Sequence, residues 1–589
     1  MTSSRQIRRP RPSRQRSFCA LLVAVALPAA FLAGAAPPAW ANSPAIADTV
    51  SAPKVLFTED FENGPATVPT LLSSYTGAAP LDETYTADPA WVSTAACNGY
   101  IVSPEDPATP PPDCNDSGAW PLIQASVADL GTWAGGDPET NHALTQFTDS
   151  DPGAGKVQLQ TAQPIPLLSA GRFLTVETDA AGENCFGDNQ LYQFNLLEGA
   201  TAAPTSSAPI NPCADPGEIV PGPYDVDVYV GTYIGDLAVL SSNSSVGIQL
   251  INEQGDGYGN DGALDNIRLL DVTPQLDLSG TAGTVPVGAP ANLTFTITNT
   301  SELDAKDGWS FTTTLPTGLV RTSSPATSTC ATDSVTPGSA PGTFQVGGNL
   351  AEGSASCTVT VPVTSNLGGT YQLCATQTTN LVGLNPPGCT TLTFTAPVFE
   401  ALSDSALLIS PLINLGPLVP STYECTSVPG SDGNAAISDG LGAVGTLGAL
   451  TTSASGSIAA NGTRTATASA QTEGLSLLAG LITANSIGSS AQAQQPLTTS
   501  GPGAVTLSGG TTFTNLRIAG IAIAANPGPN TTISLPLVGT VVLNQQTTVA
   551  GGDGITVNAL YVTLLTGTQL TVSTSTAALL SPTATCPFN

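Results

Sequence analysis

Histidine is almost missing from this sequence: one residue in 589, His142. Ser-His-Asp and Cys-His chemistry needs an imidazole to take the nucleophile's proton, so every such site reduces to that residue. His142 lies in Glu139–Thr145, and no Gly-x-Ser-x-Gly elbow accompanies it, so it reads as a surface or loop histidine. Bases are scarce too, 14 Lys and Arg against 44 Asp and Glu. Six of them are arginines in the first sixteen residues, which leaves eight for the rest of the chain. A basic face for nucleic acid cannot be assembled from so few. No Cys-x-x-Cys occurs, which with one histidine argues against zinc. Beyond the N-terminal segment, the strongest apolar run is Leu475–Ala484, about half of what a transmembrane helix needs.

What is present begins with an address. The arginines are followed by an apolar stretch, Ala20–Ala36, and by Ala39-Trp40-Ala41, a small-x-small cleavage pattern. Residues 1–41 therefore read as a secretory signal peptide, with the mature, extracellular chain starting near Asn42. Its charge is −36, and the acids are uneven: 31 lie in residues 42–274, six in 275–396 and seven in 397–589. Ten cysteines remain: Cys97, Cys114, Cys185, Cys213, Cys330, Cys357, Cys374, Cys389, Cys425 and Cys586. An even number in an oxidising compartment implies disulfides, with the connectivity left open. Pairing neighbours gives 97–114, 185–213, 330–357, 374–389 and 425–586. The first four would close short loops, each worth about 3 kcal/mol in the chain-entropy model.

Short β-branched segments between Gly, Pro, Asn and Asp clusters dominate, and helical periodicity is weak. The fold class expected is all-β, as several β-sandwich domains. Strands are read at Pro223–Val230, Ala291–Ile297, Cys357–Val363 and Leu392–Phe394. In Asn292–Ile297 the apolar residues alternate with threonines, so one face is buried. The mature lysines are Lys54, Lys156 and Lys306. Lys306 is a candidate for an intramolecular isopeptide bond, but reads better as an exposed lysine before a turn.

Gly255–Asp265 packs four glycines and three acids into eleven residues. As an EF-hand loop starting at Asp256 it fails, because Tyr258 and Ile267 occupy ligand positions three and twelve. It reads instead as a turn feeding a closing strand. Val55–Glu62 reads as an opening strand, and in jelly-roll sandwiches the first and last strands can lie together. The two ends are similar to those of calcium-holding carbohydrate-binding jelly rolls. That resemblance implies a structural calcium held by Glu59 and Asp265, with Glu62 and Asp261 as helpers.

Two further stretches carry a recognisable wording. Asn299-Thr300-Ser301, Cys330, Gly353–Val359 and Gly369-Thr370-Tyr371 resemble the immunoglobulin-like conserved repeat of bacterial surface proteins. This implies a sandwich used as a spacer. Ser405–Leu418, Gly474–Ala493, Thr514–Ile523 and Ala559–Gly567 resemble the "choice-of-anchor P" family of exported actinobacterial proteins. The expected domains are an acidic jelly-roll-like sandwich over 42–274, an Ig-like sandwich over 275–396 and a Ser/Thr/Gly-rich β domain over 397–589.

Trp91, Trp120 and Trp133 lie close together in the first domain, where flat aromatic faces can stack on sugar rings or fill a core. The expectation is a secreted, non-catalytic cell-surface protein, for adhesion, recognition or envelope structure, with a glycan or protein ligand. The alternative is a secreted carbohydrate-active enzyme or binding protein using the acids of the first domain.

Overall fold

The computed structural model of the protein describes residues 49–582, apart from positions 66, 93–96, 113, 115–117, 149–150, 341, 550 and 552. The expected signal peptide and Cys586 lie outside the described residues. The chain is overwhelmingly β, in antiparallel sheets stacked as sandwiches. Among the described residues no helix is long and apolar enough to cross a membrane.

In the first part, a sheet of nine described strands faces one of six. Leu264, Ala180, Tyr192, Phe194 and Leu250 fill the space between them. The opening strand, Lys54–Glu59, pairs antiparallel with the closing strand, Asp261–Asp271, so the remote ends do meet. Pro223–Val230 is only partly a strand. The chain turns at Pro223–Asp225, with Tyr224 and Asp225 at positive φ, and the strand runs Asp227–Ile234.

A 16-residue helix, Ala119–Ala134, was not expected. Its signal is the spacing of Trp120, Ile123, Val127 and Leu130, which puts all four on one face against the sheet. Gly135, at φ 78°, ends it.

The middle sandwich follows its alternation closely. Leu293, Phe295 and Ile297 point inward from the strand Ala291–Thr298, and Phe295 packs on Phe311 with ring centroids 4.9 Å apart. This core does not stop at the domain boundary: Phe173, Leu270 and Val272 of the first part belong to it. Arg172 binds Asp271 through Nε at 2.9 Å and donates to Asn385 Oδ1 at 2.9 Å, which adds a hydrogen bond across the boundary. The Gly383 N–H donates to Gly171 O at 2.7 Å.

Lys306 corrects the reading of an exposed lysine. It is fully buried, with Nζ 2.7 Å from Glu302 Oε1 and 3.2 Å from Asp304 O. Glu302, four positions upstream, supplies the counter-charge that makes burial tolerable.

In the last part a sheet of seven described strands packs on one of nine. The run Leu475–Ala484 forms a hairpin between the strands Arg464–Leu477 and Ile482–Gln495. Leu450, Ile487, Phe513, Val541 and Leu560 fill the main core, and beside it the facing residues are small, including Ala454, Ala466, Ala468, Ala491 and Ala493. Gly456 lets the sheets approach: a Cβ there would stand 2.4 Å from Phe399 Cγ. Gly456→Ala is expected to cost about 1–3 kcal/mol by overpacking, read as a lower urea midpoint for this part of the chain.

Candidate functional site

The strands Arg172–Glu183 and Asp261–Asp271 lie side by side in the first sheet. Asp261 is opposite Glu183, Ala263 opposite Ala181 and Asp265 opposite Asp179. A period of two places these six residues on one face, the face covered by the helix Ala119–Ala134. Four carboxylates are therefore buried under a helix. Each has a partner. Thr232 donates its hydroxyl to Asp179, and Arg268 Nη2 lies 3.7 Å from Asp179 Oδ2. Ser126, on the helix, donates to Glu183. Asp261 accepts from the Thr148 N–H at 2.8 Å and from Asn184 Nδ2 at 2.7 Å. Asp265 accepts from Asn141 Nδ2 at 3.1 Å and from the Asn266 N–H at 2.6 Å.

Burial dominates their chemistry. It pushes Glu183 up to about 8, against the Ser126 hydroxyl and with help from Asp261 and Asp129. It also holds Asp265 well above the usual carboxylate range, opposed by Asn141 and the Asn266 N–H and reinforced by Asp179 and Glu62.

Beside this face sits the one histidine, in the loop before the strand Ala143–Phe147 but buried. Its Nδ1 is 2.9 Å from Glu62 Oε2, and its backbone N–H donates to Glu62 Oε1 at 2.8 Å. The Glu62 hydrogen bond raises the His142 pKa, burial opposes it, and the charges of Glu62 and Asp106 add to the rise. The carboxylate fixes the ring in the way a general base requires. Among the described residues His142 Nε2 has no hydrogen-bond partner, so no nucleophile is joined to it.

The four acids expected around a calcium ion are not brought together. Glu59 is buried on the side of the inter-sheet core, where Tyr75 donates to Oε1 at 2.9 Å, Tyr85 donates to Oε2 and the Phe61 N–H donates at 2.8 Å. Three protein donors thus hold this carboxylate. Asp265 faces the other side of the same sheet, under the helix. The cause is a bulge: Asn266 takes φ 49°, so Ile267, opposite Glu59, joins the inter-sheet core while Asp265 does not. Glu62 is engaged with His142, and Asp261 with Thr148 and Asn184. Among the described residues these four form no group with ligand atoms within reach of one ion.

The tryptophan platform is corrected as well. Trp91 and Trp120 are core residues at 2% and 0% exposure, so neither offers a ring to solvent. Trp133 is half-buried, with Nε1 donating to Thr232 Oγ1 at 2.9 Å and its ring against Gly217. Trp120 fills the space between the helix Ala119–Ala134 and the sheet, while Trp91, in the short helix Pro89–Val92, belongs to the core between the two sheets.

Four disulfides join neighbours in sequence, Cys97–Cys114, Cys185–Cys213, Cys330–Cys357 and Cys374–Cys389. Cys425 is also in a disulfide. Its expected partner, Cys586, lies outside the described residues.

No curated protein matches the chain. Residues 274–394, which span the middle sandwich, match a family described as a domain of unknown function (DUF7933).

Proposed function

We propose that this chain is a secreted, non-catalytic protein of the bacterial cell surface, acting in recognition, adhesion or envelope structure, with the middle sandwich as its spacer. The observation that carries this reading is the shared core. Phe173, Leu270 and Val272 enter the middle sandwich, and Arg172 links Asp271 to Asn385. A continuous apolar core resists bending better than a flexible linker, which suits a module that holds another away from a surface. The disulfides fit an oxidising compartment.

The surface best suited to recognition is in the last part, not at the tryptophans. A shallow trough of about 240 Å³ crosses the outer face of the nine-stranded sheet, lined by Thr451, Ser453, Ser469, Gln471, Ser490 and Thr512 among others. Its lining is uncharged, with hydroxyls and amides repeating at strand spacing, and it offers hydrogen bonds to a neutral glycan.

Glycan-array binding by the full secreted chain tests this. Binding to neutral glycans, lost in Ser469→Arg and Ser490→Arg, is the expected result. Absence of binding to glycans and surface proteins would reduce the function to envelope structure. The rival, a carbohydrate-active enzyme, rests on the His142–Glu62 pair and the raised carboxyls of the first part. Release of reducing sugar, abolished by Glu62→Gln, would establish it and overturn the non-catalytic reading.

A further inference from the structure

One carboxylate pair in the last part stands apart from the acids of the first. Glu400 lies in the strand Val398–Ile409, between Phe399 and Ala401, which both point into the sandwich. Glu400 therefore points to the opposite face. The neighbouring strand, Ser421–Thr426, bulges there: Phe399 pairs with Thr426 and Ala401 with Tyr423, so Glu424 and Cys425 both stand across from Glu400. Cys425 takes φ 57°, as a bulge residue does when it re-aims its neighbours.

Ligand atoms of Glu400, Glu424 and Cys425 all lie within 4.8 Å of one another. No other group of three or more Asp, Glu, His or Cys does so among the described residues. Two carboxylates alone would be an unremarkable cluster. What sets this pair apart is that Glu400 is at 0% exposure, with neither carboxylate oxygen in a well-formed hydrogen bond, and that it faces Glu424, which leaves Oε2 unpaired too. Among the described residues no Lys or Arg forms an ion pair with either. A buried charge short of donors and without a counter-ion is costly, and a shared cation is one way to remove that cost.

We propose that Glu400 and Glu424 form a binding site for a hard divalent cation, calcium, which fastens the strand Ser421–Thr426 to Val398–Ile409. The ligands are carboxylate oxygens. The Cys425 sulfur is held in a disulfide and is not available as a thiolate, so a soft metal such as zinc gains nothing from it. Calcium tolerates an irregular oxygen shell completed by water, and Glu424 is only half-buried, which gives ion and water a way in.

The test is thermal melting and calorimetric titration of the full secreted chain, stripped with chelator and then given calcium chloride. The chain has many exposed acids, so the site is read by difference. Wild type is expected to melt higher in calcium than in chelator. Glu400→Gln keeps the side chain's shape but removes its charge. It is expected to melt in chelator at least as high as wild type, and to lose the calcium-dependent rise. Asp439→Asn, at an exposed acid of the same part of the chain, should keep the rise. An unchanged wild-type transition would overturn the proposal, as would a full calcium response in Glu400→Gln. Zinc binding tighter than calcium in the chain with its disulfides intact, lost in Glu400→Gln, would overturn the choice of a hard cation.

Discussion

Replacing Lys306 by methionine is expected to cost the chain about 3–5 kcal/mol. Methionine nearly fills the volume of the lysine stem but removes the ammonium. Glu302 is then left buried without its counter-charge, beside the Thr300 hydroxyl that donates to it at 2.5 Å. Asp304 loses the Lys306 charge that now holds it down. Burial already pushes Asp304 up to about 7, with Glu302, Asp236 and Glu352 adding to the rise. The cluster also touches the joint: the Thr300 hydroxyl faces Val272 O at 3.1 Å, and the Ser301 N–H donates to Ser51 O at 2.8 Å. The loss should therefore appear both as a lower denaturation midpoint and as faster proteolysis between the first and middle parts. Adding Glu302→Gln should recover most of the stability, because the damage lies in the orphaned charge. A loss below about 1 kcal/mol in Lys306→Met would mean that the pair is solvated and that the joint does not depend on it.

The second large effect is with pH. The first part is expected to melt lower as pH rises from about 4.5 to about 8. Glu183 sets this window. Its folded pKa of about 8 lies above the ordinary 4.5, so the folded state holds the proton more tightly than the unfolded one. The contribution is fully present below 4.5 and is lost as pH passes through 8. Asp129, pushed up to about 6 by burial and Glu218, acts in the same direction. A tenfold difference in proton affinity is worth about 1.4 kcal/mol, so the Glu183 penalty above pH 8 is on the order of a few kcal/mol. Glu183→Gln can still accept from Ser126 and carries no charge. It should flatten the pH profile and raise the melting point at alkaline pH. A first part that is most stable at alkaline pH, with Glu183→Gln less stable there, would contradict this assignment.

Much of the fold was legible because period-two alternation is a local signal. Leu293, Phe295 and Ile297 announce an inward face, and the strand forms as read. The meeting of Lys54–Glu59 with Asp261–Asp271 was legible from the two ends taken together. The site was not. Strict alternation puts Asp265 and Ile267 on one face, and only the left-handed Asn266 separates them. A bulge of one residue thus moved a carboxylate from one side of the sheet to the other. The tryptophans have two open readings in the sequence, and packing decides between them: Trp120 fills the space under the helix Ala119–Ala134 and Trp91 the core between the sheets. Lys306 misled because lysine is rarely buried, and its partner is a short-range one that composition hides. Glu400 drew no notice because its neighbour across the bulge, Glu424, is remote in sequence and nothing local marks the pair.

The central claim is that this chain stands on the outside of the cell with its first part held out by a rigid spacer. Labelling intact, unpermeabilised cells that encode it, with an antibody to residues 49–274, tests that most directly. Strong labelling that mild protease removes without lysing the cells is the predicted result. Labelling that appears only after permeabilisation would contradict the account.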